Sequence, residues 1–276
     1  MIASFLIALR EGLEAALIVG IALGVLVKLR RGDLRRWVWS GVAAAVLISL
    51  GVAWALNAMG ASLEGPAEEV FEGIAMLLAA GVLTWMIFWM QRQGSRIQRE
   101  LERDVRSAAS QGQAWGLFGI AFFAVLREGI ETALFLTAAA MASGSQQTLA
   151  GGLLGLAAAV AVGWLIFATT VRLNVRRFFQ VTSVLLILFA AGLVAHGIHE
   201  FNEVGWVPPI IEHVWDINPI LDENSTVGTL LKALFGYNGN PSLTEVIAYV
   251  LYYAVVLLGL RRLPGKREQL AQPAQT

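Results

Sequence analysis

The chain is 276 residues long, 57% hydrophobic and 14% charged, with no cysteine and a formal net charge of zero. A soluble domain carries about 25% charged residues, so this chain has more apolar surface than one globular core can bury, and the excess must face lipid. The composition excludes disulfides, thiolate metal sites and cysteine chemistry, and the charge balance gives no reason to expect a nucleic-acid partner.

A membrane span needs roughly 20 mostly apolar residues. Taken in chain order, seven segments satisfy this: 2–28, 37–59, 69–91, 114–142, 149–171, 178–200 and 244–260. The first and fourth qualify only if the charges inside them are functional. No cleaved signal peptide is expected, because the N-terminus lacks a basic region and Arg10, Glu11 and Glu14 interrupt its apolar run. Between spans 3 and 4, Ile97, Leu101 and Val105 recur every four residues among Arg and Glu, which predicts a short helix lying on the cytoplasmic surface. Residues 201–243, with Pro208, Pro209, Pro219 and Pro241, form a long outer loop, with one short helix predicted near Thr226 to Phe235.

Basic residues set the orientation. Every Lys and Arg except Arg10, Arg127 and Lys232 lies in the connections after spans 1, 3, 5 and 7. The N-terminus is therefore expected outside and the C-terminus in the cytoplasm, in a multi-pass protein of the inner (cytoplasmic) membrane. The outer side is acidic, with Glu64, Glu68, Glu69 and Glu72 near one loop and Glu203, Glu212, Asp216, Asp222, Glu223 and Glu245 in or beside the last. Such a surface concentrates cations.

Span 1 reads Leu9-Arg10-Glu11-Gly12-Leu13-Glu14-Ala15-Ala16-Leu17, and span 4 reads Leu126-Arg127-Glu128-Gly129-Ile130-Glu131-Thr132-Ala133-Leu134. Seven of these nine positions are identical. Leu78-Ala79-Ala80-Gly81 in span 3 is echoed by Phe189-Ala190-Ala191-Gly192 in span 6. A three-span unit crosses an odd number of times, so its second copy is inverted. The expected fold is an all-α integral membrane protein of seven transmembrane helices: two inverted three-helix repeats (1–91 and 114–200), the outer loop 201–243, and a seventh helix at 244–260. Inverted repeats with a midplane site between them are a transporter architecture.

At about 1.5 Å per residue, both charged clusters fall near the bilayer middle, and at about 100° per residue each triplet faces one side of its helix. A charge at that depth costs at least roughly 2.5–3.5 kcal/mol. Six of them cannot face lipid, so they are expected to meet across helices 1 and 4, with Gly12 and Gly129 allowing those helices to approach. Four carboxylates against two guanidiniums leave two negative charges, which makes a cation site. A buried ion-pair clamp between the helices would not need twice as many acids as bases. Carboxylate oxygens disfavour Cu(I) and leave Fe, Mn, Mg and Ca open.

The doubled Arg-Glu-Gly-x-Glu motif in spans 1 and 4 of a seven-span chain resembles the iron permease family, the oxidase-dependent ferric iron transporters of fungi and the EfeU-like permeases of bacteria. The resemblance covers nearly the whole chain. It implies that Glu11, Glu14, Glu128 and Glu131 bind the iron ion as transported substrate, with Arg10 and Arg127 balancing their charge. It also implies no organic cofactor and an oxidase or iron-delivery protein as periplasmic partner.

A second candidate site lies at the outer end of span 6, where His196, His199, Glu200 and Glu203 share one helix face, opposite Glu68, Glu69 and Glu72 at the start of span 3. Imidazole plus carboxylate suits Fe, Zn or Mn, and the group would form an outer vestibule that captures the ion; the alternative is a solvated helix end tied to the loop. The reading as a whole is an iron permease taking Fe3+, or Fe2+, inward. Its rivals are a permease for lead or another divalent metal, an intramembrane acid/base enzyme, and a structural membrane subunit.

Overall fold

The computed structural model of the protein describes residues 1–168, 175–223 and 225–262; the side chains of 91–98 and a few others lie outside the description. The described residues are helical, without strands: α1 (Ile2–Lys28), a 3-10 turn at Gly32–Leu34, α2 (Arg35–Ala61), α3 (Pro66–Ser110), α4 (Ala114–Ser143), α5 (Ser145–Ala168), α6 (Val175–Glu203), α7 (Thr226–Phe235) and α8 (Leu243–Arg261). Among the described residues, five stretches are long and apolar enough to cross a membrane: Gly32–Ala61, Pro66–Met90, Ser145–Ile166, Arg177–Glu203 and Leu243–Arg261. Helices α1 and α4 have 27 and 30 residues and each carries a charged triplet. The chain is thus a multi-pass helical membrane protein.

Glycine decides which helices touch. A methyl group added at Gly12 would lie 2.6 Å from Ala159 Cβ, and one at Gly163 would lie 2.9 Å from Ala16 Cβ. Gly155 fits against Phe5 and Ala8, and Gly151 against Met1, so α1 and α5 run parallel along one small-residue seam. The same device joins α2 to α4, where Gly41 meets Phe118 and Ala121, Gly129 meets Ser49, and Gly60 faces Met141. The expectation that Gly12 and Gly129 bring α1 and α4 together is therefore corrected. Each glycine lies on the flank of its helix, one facing α5 and the other α2, while the charged face alone is turned toward the other motif.

Helices α3 and α6 run antiparallel through the centre, with Gly73 packed on Phe201 and Gly197, and Gly197 on Leu77. In each of their spans 44% is buried, against 6% for the span containing α2. One apolar core joins Ala3 and Ile7 of α1, Met76, Leu83 and Met86 of α3, Phe135 of α4, and Leu186 and Leu193 of α6. Leu47, Leu50, Trp54, Leu153, Val160, Trp164, Val250 and Leu251 point outward, a lipid-facing belt on α2, α5 and α8.

The segment 91–113 is not the separate surface helix expected. Helix α3 continues without a break for 45 residues to Ser110. Its extension buries Val105, Ala108 and Ala109 with Val25 and Leu26 of α1, Val38 of α2, and Leu117 and Ala121 of α4. Leu101, Val105, Ala108 and Ala109 make a stripe at i, i+4, i+7 and i+8, and the neighbouring helices supply the apolar partner that a membrane surface was expected to supply.

Helix α7 is short and caps one end of the bundle. The Ser225 hydroxyl accepts from Gly228 N at 3.0 Å, and Gly236 closes the helix in the left-handed region at φ 67°. The helix rests on α1, α4 and α6. Gly236 sits directly against Gly192 of α6, an approach that no larger residue permits.

Gly12→Ala should lower the thermal stability of the purified protein, since the added methyl wedges α1 from α5 at an overpacking cost of about 1–3 kcal/mol. Gly24→Ala meets nothing within 4 Å and should melt like the wild type in the same detergent-based assay.

Candidate metal centre

Both charged triplets lie inside the bundle. Arg10 and Glu11 are fully buried, Glu14 is 12% exposed at its side chain, and Glu128 and Glu131 are buried; Arg127 remains 36% exposed. Each arginine pairs within its own motif. Arg10 Nη1 reaches Glu11 Oε1 at 2.7 Å and its Nη2 reaches Glu14 Oε1 at 3.1 Å. Arg127 Nε reaches Glu131 Oε1 at 3.0 Å and Glu128 Oε1 at 3.6 Å.

The carboxylates meet across the motifs. Glu11 of α1 and Glu128 and Glu131 of α4 bring oxygens within 4.8 Å of one another. The Oε2 atoms of all three are buried without a hydrogen-bond partner. A buried acceptor left unsatisfied costs roughly 1–3 kcal/mol, more when charged. Glu14 Oε1 is likewise buried without a hydrogen-bond partner, so each of the four glutamates keeps one oxygen available. Hard cations bind oxygen at about 2.1 Å, so opposite ligands sit about 4.2 Å apart and small side-chain movements would close the triad on an ion. Glu14 stands at the rim, one turn further along α1 and engaged by Arg10 Nη2. The structure therefore draws together three of the four predicted glutamates.

The sequence reading missed what holds the arginines. Arg10 Nη1 also donates to Met86 Sδ at 3.1 Å and Nη2 to Met90 Sδ at 2.6 Å, and its guanidinium carbon stands 5.9 Å from the Phe179 ring. Arg127 lies 4.6 Å over the Trp89 ring. Met86, Trp89 and Met90 have i, i+3, i+4 spacing in α3. A face of two thioethers and an indole in a span reads from sequence as ordinary core, and only the need of two buried cations for neutral partners hints otherwise.

The second predicted cluster does not converge. His196 Nδ1 is 3.0 Å from the Gly192 carbonyl. His199 is a tie between helices: Nδ1 lies 3.1 Å from Glu245 Oε1 of α8 and Nε2 lies 3.4 Å from Glu203 Oε1. Glu245 completes a capping box with Ser242 and accepts from Asn238 Nδ2 at 2.8 Å. Glu68 and Glu69 begin α3 behind Pro66, where acids favour a helix start. Glu200 of α6 has Glu69 and Glu72 of α3 and Glu203 of its own helix as charged neighbours. Among the described residues, only Glu11, Glu128 and Glu131 form a group of metal-ligand type.

A carboxylate cluster buried in a multi-pass helical protein defines a membrane protein built around a cation. The chain matches the Iron permease FTR1 family over residues 1–263 and belongs to that family. The ferrous iron permease EfeU of Escherichia coli O6:H1 is 38% identical over 263 residues, 94% of either chain. The protein of that name from Shigella sonnei is likewise 38% identical over 263 residues and 94% of either chain. That from Yersinia pestis is 36% identical over 260 residues, 94% of this chain and 92% of the relative. No solved structure matches the chain significantly. The protein is an iron permease, a transporter and not an enzyme.

Arg10→Ala should lower the yield of folded protein far more than Glu14→Ala, because stripping the counter-charge from buried carboxylates costs roughly 3–5 kcal/mol. Arg10→Lys should restore only part of the yield, since an ammonium lacks the planar fork. Equal folded yields by fluorescence-detected gel filtration would remove the charge-balancing role.

Proposed function

We propose that the permease carries Fe2+ inward through the triad of Glu11, Glu128 and Glu131, with Glu14 completing the ion's path at the rim. The observation that carries this reading is that Glu11, Glu128 and Glu131 bring carboxylate oxygens of the two motifs within 4.8 Å of one another, and that each keeps a buried Oε2 without a partner, in a member of an iron permease family. Charge favours Fe2+ over the Fe3+ put first on sequence grounds. Four carboxylates and two guanidiniums hold two net negative charges, which a divalent ion neutralises and a trivalent ion overshoots inside a low-dielectric bundle. The relatives' name, ferrous iron permease, points the same way. An oxidase partner belongs to the ferric reading, whereas a periplasmic iron-delivery protein suits either.

The architecture proposed around this site has seven spans, α1 to α6 and α8, with α1–α3 and α4–α6 as inverted repeats. Its support is the pairing of helices: α1 packs on α5 as α4 packs on α2, and α3 pairs with α6. An exchange of the two repeats maps that set of pairs onto itself. We place the protein in the cytoplasmic membrane with Met1 outside, as the loop charges require. The acids Glu69, Glu72, Glu200 and Glu203 then form an outer vestibule whose field draws cations toward the bundle. His199 belongs to the scaffold of that vestibule through its tie to Glu245.

Proteoliposomes loaded with a chelator and supplied with labelled iron under ascorbate test the reading. Glu128→Gln and Glu131→Ala should abolish uptake with insertion intact. Glu14→Ala should retain measurable uptake at a raised half-saturation. Wild-type rates in Glu128→Gln would overturn the site. Preference for ferric citrate without reductant would return the cargo to Fe3+, and equal transport of Pb2+ or Mn2+ would widen it.

Glu200→Gln should raise the iron concentration for half-maximal uptake more than it lowers the maximal rate. His199→Ala should act chiefly by loosening α8, read as a lower melting temperature. An unchanged half-saturation in Glu200→Gln would leave the vestibule without a role in capture.

A further inference from the structure

Both arginines of the site lean on one face of one helix. Met86 and Met90 of α3 take the two Nη groups of Arg10, and Trp89, between them on the same face, takes the guanidinium of Arg127. We propose that Met86, Trp89 and Met90 are positioning residues for transport: a neutral cradle that fixes both guanidiniums so that the Oε2 atoms of Glu11, Glu128 and Glu131 stay free for the ion. The proposal rests on the triad being the iron site.

The chemistry of the cradle fits this task. A guanidinium presents five N–H donors in a rigid fork. One donor of Arg10 Nη1 is committed to Glu11, Nη2 is ion-paired with Glu14, and both nitrogens also donate to sulfur. A thioether is a weak, uncharged acceptor. It gives these N–H groups a direction without neutralising the cation, so the positive charge remains on the carboxylates that need it. An apolar side chain of the same shape would leave those N–H groups without acceptors. The unsatisfied acceptors nearby are glutamate oxygens, Glu14 Oε1 and the Oε2 atoms of Glu11, Glu128 and Glu131, and a guanidinium turned onto the Oε2 atoms would occupy the place of the ion. A carboxylate or amide there would do the opposite, drawing Arg10 off its glutamates.

Trp89 does the equivalent work on the other motif. The face of an indole attracts a cation through its quadrupole and leaves the in-plane N–H groups of Arg127 to Glu128 and Glu131. Arg127 is the more exposed of the two arginines, so the ring also limits its freedom to swing across the triad. Arg10 is fully buried beside the apolar core that contains Met86, and there the directed sulfur acceptors act together with the more distant Phe179 ring.

Ordinary core packing makes a different prediction, because Met→Leu nearly conserves volume and costs less than about 1.5 kcal/mol. The test is iron uptake in proteoliposomes, normalised to folded protein, for Met86→Leu/Met90→Leu, Trp89→Leu, Trp89→Phe and, as a check on the site, Glu128→Gln. The cradle requires the double Leu variant and Trp89→Leu to raise the half-saturating iron concentration by about tenfold, equivalent to ~1.4 kcal/mol, with the maximal rate within about twofold. Trp89→Phe, which keeps a ring face, should restore most of the affinity. Should the double variant fail to insert, the half-buried Met90→Leu alone serves the same comparison. A fall in folded protein or maximal rate with unchanged half-saturation overturns the cradle and makes the three residues packing. Wild-type uptake by Glu128→Gln overturns the triad and the cradle together, whereas a dead Glu128→Gln beside an unaffected double variant overturns the cradle alone.

Discussion

Ionised groups inside a bilayer are tolerated only when they answer one another, and the six charges of the two motifs impose that condition on everything around them. Their solution has two layers. Within each motif, an arginine one turn from its second glutamate forms local ion pairs that need no other helix. Between motifs, the surplus carboxylates face each other and share a deficit of positive charge that neither motif can cure alone. The first layer lets each helix carry its charges at a bearable cost. The second leaves a surplus of buried carboxylate oxygen, which a plain ion-pair clamp between helices does not require.

The scaffold serves that arrangement. The small-residue seams lie on the flanks of α1 and α4, toward α5 and α2, which frees the charged faces to point inward. The large apolar side chains are concentrated between α1, α3, α4 and α6 beside the site, where the Arg10–Glu11 pair is fully buried and Arg127 stays partly exposed. A dry surround strengthens a buried pair and equally raises the penalty of leaving any oxygen unpaired. The pairing of His199 with Glu245, together with the Ser242 cap, fixes α8 to α6 at one end, where α7 and its glycine contact also close over the bundle.

Much of this was legible in the sequence because it is periodic or repeated. The helix boundaries follow from apolar runs whose ends are marked by Lys and Arg, and the short helix at Thr226–Phe235 from its Ser cap and Gly stop. That carboxylates of the two motifs meet was legible from a nine-residue repeat and the physics of buried charge. What escaped depends on partners that are distant in the chain. Nothing local says that Gly12 faces Ala159 and not α4, or that Glu14 stays with Arg10 while Glu11 joins Glu128 and Glu131. The stripe of Leu101 and Val105 is amphipathic whether it lies on lipid or on neighbouring helices, so periodicity alone could not choose. Met86, Trp89 and Met90 look like any apolar face until the guanidiniums are in view. His199 is a side chain of metal-ligand type, on a face of similar residues, whose Nδ1 meets Glu245 of α8 and whose Nε2 faces Glu203 of its own helix, a pairing that nothing local in the sequence announces.

The unbroken course of α3 has a mechanical meaning. Forty-five residues make a rod of about 68 Å, more than twice the ~30 Å hydrocarbon thickness. Met86 and Trp89 lie near its midpoint, Glu68 and Glu69 at one tip, and the arm that carries Val105 and Ala109 at the other. A continuous helix transmits tilt along its length, so a tilt of this rod about its contact with both arginines would move its two tips together. A tilt of about 5° around that fulcrum shifts the far tip by about 3 Å over the ~36 Å that separate them. The two tips therefore move in opposite senses, while the segment at the fulcrum, against both guanidiniums, stays nearly in place.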